Sequence, residues 1–121
     1  MISYQVIFYE DAHGDCPVEE FLNTIDTKLS AKAYRFLELL SQFGADLREP
    51  YSKHLDDGIF ELRVRFASNT IRILYFFTEN RCVILTNGFV KKTKKTPNNE
   101  IERAKACRQD YLERRKSNEN A

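Results

Sequence analysis

Residues 59–78 read Ile59-Phe-Glu-Leu-Arg-Val-Arg-Phe-Ala-Ser-Asn-Thr-Ile-Arg-Ile-Leu-Tyr-Phe-Phe-Thr78. Phe60, Leu62, Val64 and Phe66 recur at every second position, and so do Ile71, Ile73, Tyr75 and Phe77. A period of two is the mark of a strand with one buried face. The two runs predict a β-hairpin whose turn is centred on Ser68-Asn69. Pairing Val64 with Ile73 and Leu62 with Tyr75 puts every apolar residue named on one face. A slip of one residue would set Val64 against Arg72 and mix the faces, so that pairing is excluded. The other face then carries Glu61, Arg63, Arg65, Arg72, Leu74 and Phe76, with Arg65 expected directly opposite Arg72. Like charges so placed cost stability unless something anionic sits over them. Three planar guanidiniums suit a phosphate, which accepts two parallel hydrogen bonds from each. The competing reading is a solvated face on which Glu61 and other acids partner the arginines.

Working outward, residues 2–9 predict a strand rich in β-branched and aromatic side chains. Pro17 suits a first helical turn, and Val18, Phe21, Leu22 and Ile25 follow at helical spacing. Ser30 is the expected cap of a second helix. Its stripe is Ala33, Phe36, Leu37, Leu40 and Phe43, and Gly44 is its stop. Residues 45–57 read as an irregular connection. Strands are expected at 59–66, 70–78 and 82–90. Thr96-Pro97 predicts an N-cap and first residue for a last helix with Ile101, Ala104, Tyr111 and Leu112 on its stripe. With no repeat and no linker, the expectation is one small α+β domain over residues 1–113, an antiparallel sheet packed by helices in the order βααβββα. Residues 114–121 are expected to be a polar, frayed tail.

The 121 residues carry a net charge of +1, unevenly spread. Residues 1–27 hold six acids and no Lys or Arg, a sum of −6. Residues 63–95 hold eight bases against Glu79 alone, a sum of +7. That asymmetry points to an anionic partner for the middle of the chain. No apolar run approaches a membrane span, and no signal-peptide pattern opens the chain, so a cytoplasmic protein is expected. Cys16, Cys82 and Cys107 match neither a disulfide framework nor a zinc site and are expected to be buried or idle thiols. His13 lies among Glu10, Asp11 and Asp15, too crowded for a metal site. No metal and no cofactor is expected. Lys91, Lys92, Lys94 and Lys95 follow the last strand and either add positive potential beside the arginines or form a solvated loop. His54, next to Lys53, is either a general acid or base or an ordinary loop histidine.

Four strings occur in fixed order: Gly58-Ile-Phe-Glu-Leu-Arg-Val-Arg65, Ile71-Arg-Ile-Leu-Tyr-Phe-Phe77, Gly88-Phe-Val-Lys-Lys-Thr-Lys-Lys-Thr-Pro97 and Glu100-Ile-Glu-Arg-Ala-Lys105. Over roughly residues 2–113 the chain resembles the phage-derived, HigB-like branch of the RelE/ParE toxin superfamily. The resemblance implies a type II toxin that cleaves messenger RNA at the ribosome without a metal. It also implies a helix-turn-helix antitoxin as partner, contact with operator DNA only through that complex, and no membrane. By the resemblance, Lys53 and His54 match the basic and imidazole positions ahead of the meander. Arg63, Arg65 and Arg72 match the sheet arginines, and Lys91 and Lys92 the basic positions after the last strand. Lys53 or His54 is the expected base, the lysine only if neighbouring cations depress its pKa. Arg65 and Arg72 are the expected phosphate ligands. Arg63, Lys91, Lys92, Lys94 and Lys95 are expected RNA contacts. Many relatives end in a catalytic Tyr or His, whereas Tyr111 lies on an apolar stripe here and is expected in the core. Phe89 stands where a polar group would help more. The alternative is a non-enzymatic, ParE-like inhibitor of DNA gyrase.

Overall fold

A computed structural model of the chain describes residues 3–119. Ile2, placed in the first strand by its sequence, and the last two residues of the expected tail lie outside them. The elements are β1 (Gln5–Phe8), α1 (Pro17–Thr24), α2 (Thr27–Phe43), a 3-10 turn (Gly44–Asp46), β2 (Ser52–Asp56), β3 (Ile59–Phe66), β4 (Asn69–Thr78), β5 (Cys82–Val90) and α3 (Asn98–Glu119). The class is α+β, as expected, but the order is βααββββα. The sheet is mixed, with five strands in the order β1-β5-β4-β3-β2. β1 runs parallel to β5, so the expected all-antiparallel sheet is corrected. The chain leaves β1 at one edge, crosses by α1 and α2, starts again at the far edge and returns by a meander to lie beside β1.

β2 falls in the stretch expected to be irregular. Ser-Lys-His-Leu-Asp has no apolar alternation because the strand is an edge that pairs with β3 alone, and charged edges discourage further pairing. The link to β3 is Asp57-Gly58, both at positive φ (48° and 78°), as a two-residue hairpin turn requires.

α1 and α2 cover one face of the sheet. Val18, Leu22, Leu29, Ala33, Leu37 and Leu40 pack there on Leu62, Val64, Ile71, Ile73, Tyr75, Val83 and Leu85. α1 comes so close to β5 that a Cβ on Gly88 would lie 2.6 Å from the Phe21 ring. α2 is capped by Asp26 rather than by Ser30. The Asp26 carboxylate accepts from the Lys28 and Leu29 N–H groups at 3.0 and 3.3 Å, which starts the helix four residues earlier than expected. Gly44 ends the helix as its sequence predicted, its N–H donating to the Leu40 carbonyl.

α3 covers part of the opposite face. Ala104 and Cys107 pack on Ile59, Leu74, Phe76 and Ile84, and Tyr111 meets Phe76 edge-on at 6.0 Å. The helix runs through Arg114 to Glu119, where fraying was expected. The Arg114 guanidinium holds this end down, bonding Asp110 and the Glu10 carbonyl, while Tyr9 donates to Asp110 at 2.6 Å. The three cysteines are free and buried.

A basic face organised around a buried glutamate

A two-residue turn at Ala67-Ser68 joins β3 to β4, with Ala67 at φ 56° and Phe66 paired with Asn69. This turn sets the register. Arg63 lies directly opposite Arg72, Arg65 lies opposite Thr70, and Val64 lies opposite Ile71. The expected pairing of Arg65 with Arg72, and of Val64 with Ile73, is therefore shifted by two residues. A shift of two leaves every side chain on its expected face, so the apolar pattern alone does not distinguish the two registers.

Arg63 and Arg72 tolerate each other because Glu61 reaches both. Its side chain is 1% exposed. One carboxylate oxygen accepts from Arg63 Nε at 2.9 Å and from Arg72 Nη1. The other accepts from the Thr96 hydroxyl at 2.5 Å. Thr96 thus serves the carboxylate instead of capping α3. The helix starts one residue after Pro97, whose carbonyl accepts from the Glu100 and Ile101 N–H groups. Burial lowers the Arg72 pKa while Glu61 opposes the shift, and a guanidinium keeps its proton regardless. Arg72 Nε is buried without a hydrogen-bond partner among the described residues. Arg63 also reaches Glu49 at 3.3 Å.

The two readings of this face divide between residues. Arg63 and Arg72 have acid partners. Arg65 is exposed and, among the described residues, makes no ion pair; the same is true of Lys53, Lys92, Lys94 and Lys95, and the half-buried Lys91 makes none either. The Lys91 N–H donates to the Thr70 carbonyl at 2.9 Å, which extends the β4–β5 ladder and brings the lysine run beside the arginines. Asn87 anchors the following helix, its amide donating to the Glu100 carboxylate at 2.9 Å.

Three hollows surround this centre. One of about 380 Å³ is lined by Arg72, Phe89, Lys91, Lys92, Lys95 and the start of α3. A second, also about 380 Å³, is lined by Lys32, Phe36, Tyr51, Arg63, Arg65, Arg72 and Lys91. The third, about 190 Å³, is lined by Lys53, His54, Glu61, Arg63, Lys94 and Lys95. Arg72 and Lys91 join the first two, and Arg63 joins the last two. None of the six acids of residues 1–27 lines any of them. The surface so formed suits a phosphate: cations converge and water-exposed lysines surround them.

Lys53 and His54 occupy opposite faces of β2. Lys53 is opposite Glu61, on the arginine side, and His54 is opposite Phe60. The His54 ring lies edge-on to Phe60 at 5.0 Å, and its Nε2 accepts from the Gly58 N–H at 3.1 Å. That bond assigns the neutral ring's proton to Nδ1, which makes His54 a donor at its free nitrogen. Phe89 lies directly opposite Arg72. Sequence reasoning did not single out Tyr51 or Thr96 as a partner of the carboxylate, and it named Glu61 as an arginine partner on a solvated face, whereas its side chain is buried between Arg63 and Arg72. The signal for Glu61 was present, since alternation puts it on the arginine face.

A family model described as phage derived protein Gp49-like (DUF891) matches residues 20–109, well over half of the chain and the whole of the basic face. No curated protein matches the chain.

Proposed function

Since the chain belongs to the Gp49-like family of phage-derived proteins, within the RelE/ParE-like toxin group, we propose that it is the toxin of a toxin–antitoxin pair and a metal-free endoribonuclease. One observation carries this reading. Unpaired cations, Arg65 and the lysines, ring the buried Arg72 and the half-buried Arg63, which Glu61 holds in place. Such a site can bind the RNA backbone and oppose the charge that grows on a phosphorane.

In the reaction, the 2′-hydroxyl of a nucleotide attacks its own 3′-phosphate. A base takes the hydroxyl proton, the P–O5′ bond breaks, and the departing 5′-oxygen takes a proton. The products are a 2′,3′-cyclic phosphate and a 5′-hydroxyl. Arg65 and Lys91 grip the phosphate, with Arg63 and Arg72 behind them in preset orientations. Lys53 shares the arginine face and is the base on this reading, acting through the unprotonated form of its amine. His54, with Nδ1–H as donor, offers a hydrogen bond to the leaving oxygen from the third hollow, and water supplies the proton that oxygen takes. Lys92, Lys94 and Lys95 contact the flanking backbone. The partners are messenger RNA at the ribosome and a helix-turn-helix antitoxin.

The test is expression of the chain without an antitoxin, with protein synthesis measured and messenger RNA ends mapped. Translation arrest with new 5′-hydroxyl ends is expected. DNA damage signalling with intact messages would overturn the reading in favour of gyrase inhibition.

A further inference from the structure

The second hollow holds an aromatic ring that the phosphate chemistry above does not use. Tyr51 is 44% exposed and sits where the chain enters β2. Its place is set by backbone bonds. Its N–H donates to the Arg48 carbonyl at 2.9 Å, and its carbonyl accepts from the Arg63 N–H at 2.8 Å. The ring is therefore tethered to the strand that carries the arginines. Its ring contact is with Phe36, tilted by 69° at 5.7 Å, and no described ring stacks flat on it. Around it stand Lys32, Arg63, Arg65 and Lys91, and no carboxylate lines this hollow. Its volume of about 380 Å³ falls within the ~300–1,000 Å³ usual for ligand sites.

We propose that this hollow is a nucleobase subsite, in which a base of single-stranded RNA stacks on Tyr51 while its phosphate meets Arg65 and Lys91. The proposal rests on the reading of the chain as an RNA-binding toxin and adds the residue that reads the base. The pairing of an exposed aromatic with convergent cations is what single-stranded nucleic acid requires: a flat apolar platform for the base and positive charge for the backbone. A peptide carboxylate would satisfy the cations but leave the platform without a matching flat group. Stacking is tolerant of base identity, so Tyr51 sets a preference by stacking strength rather than a strict code.

The experiment uses a six-nucleotide RNA with every 2′-oxygen methylated, so that it is not cleaved, and with fluorescent 2-aminopurine moved through each position in turn. Stacking quenches the probe. The wild type and Tyr51→Phe are expected to bind and to quench at one favoured position. Tyr51→Ala is expected to bind roughly 5- to 100-fold more weakly and to lose that quench. Arg65→Ala is expected to weaken binding and flatten its salt dependence while keeping the quench at saturation. Tyr34→Ala, at an exposed aromatic on α2 away from the hollow, is expected to change nothing. Unaltered affinity and quench in Tyr51→Ala would overturn the subsite and leave the RNA reading standing. Failure of the wild type to bind the RNA would overturn both. Saturable binding of a glutamate-rich peptide with the Tyr51 dependence that RNA lacks would assign the hollow to a protein partner, and the proposal would fall.

Discussion

Glu61 and Arg72 form an ion pair inside the protein, with side chains 1% and 6% exposed. They are diagonal neighbours across β3 and β4, since Arg72 lies opposite Arg63, two residues along the strand from Glu61. A buried pair recovers its desolvation cost only when its remaining hydrogen-bonding capacity is filled. Arg63 and Thr96 do that for the carboxylate.

Removing one member should therefore cost far more than removing both. Glu61→Ala leaves the Arg72 guanidinium buried and unpaired, and a loss of about 3–5 kcal/mol is expected in urea unfolding. The double variant Glu61→Leu with Arg72→Met should recover most of that stability and, on the proposed reading, lose RNA cleavage. Equal instability of the single and double variants would argue against the pair as the organising element.

Thr96 offers a milder test of the same network. Thr96→Val keeps the shape and deletes the hydroxyl that reaches Glu61 at 2.5 Å. A loss of about 1–3 kcal/mol is expected. Had the residue been a helix cap in solvent-exposed surroundings, Thr96→Ser would preserve stability through the cap alone. Here Thr96→Ser is expected to preserve it through the buried bond, so dependence on an intact Glu61 separates the two roles. A double-mutant cycle with Glu61→Ala should show strong coupling between the two positions.

Arg65 separates function from folding. It is exposed and unpaired among the described residues, so Arg65→Ala should leave stability within about 0.5 kcal/mol of the parent. On the proposed reading the cleavage rate falls about 10²-fold or more, the usual effect of losing one transition-state donor. Single-turnover cleavage alongside urea unfolding would reveal both. Unchanged cleavage would remove Arg65 from the site.

Tyr75 makes stability depend on alkaline pH. Its hydroxyl is buried against Ser52, and burial pushes its pKa up to about 12 from 10.0. The raised folded value means the neutral phenol is favoured in the fold. Its contribution is complete below about pH 10 and is lost as pH rises towards 12, at up to about 1.4 kcal/mol per pH unit. Lysines titrate in the same window, so the informative quantity is the difference between the wild type and Tyr75→Phe. That difference in unfolding free energy should shrink between pH 9 and 12, and a constant difference would count against the assignment.

Much of the fold was legible in the residues. Alternation in β3 and β4 is a local property that survives folding, and it correctly sorted Arg63, Arg65 and Arg72 onto one face. Helical spacing located α1 and α2, because each has to bury one stripe against the sheet. The start of α2 was misplaced because Ser30 and Asp26 both have capping oxygens, and only the short link after α1 selects Asp26. β2 was missed because an edge strand needs no apolar alternation of its own, although Asp57-Gly58 marked its hairpin turn.

The sequence by itself determined which residue types share a face, since side-chain direction in a strand depends only on odd or even position. Tertiary structure alone decided the partner of each arginine. A shift of two residues preserves every face, so the turn at Ala67-Ser68 had to choose between Arg65 and Arg63 as the neighbour of Arg72. It likewise decided the use of Thr96, whose hydroxyl meets a carboxylate 35 positions away in the chain. Such a contact is written in no local pattern, because it forms only where β3 and the segment entering α3 converge and exclude water.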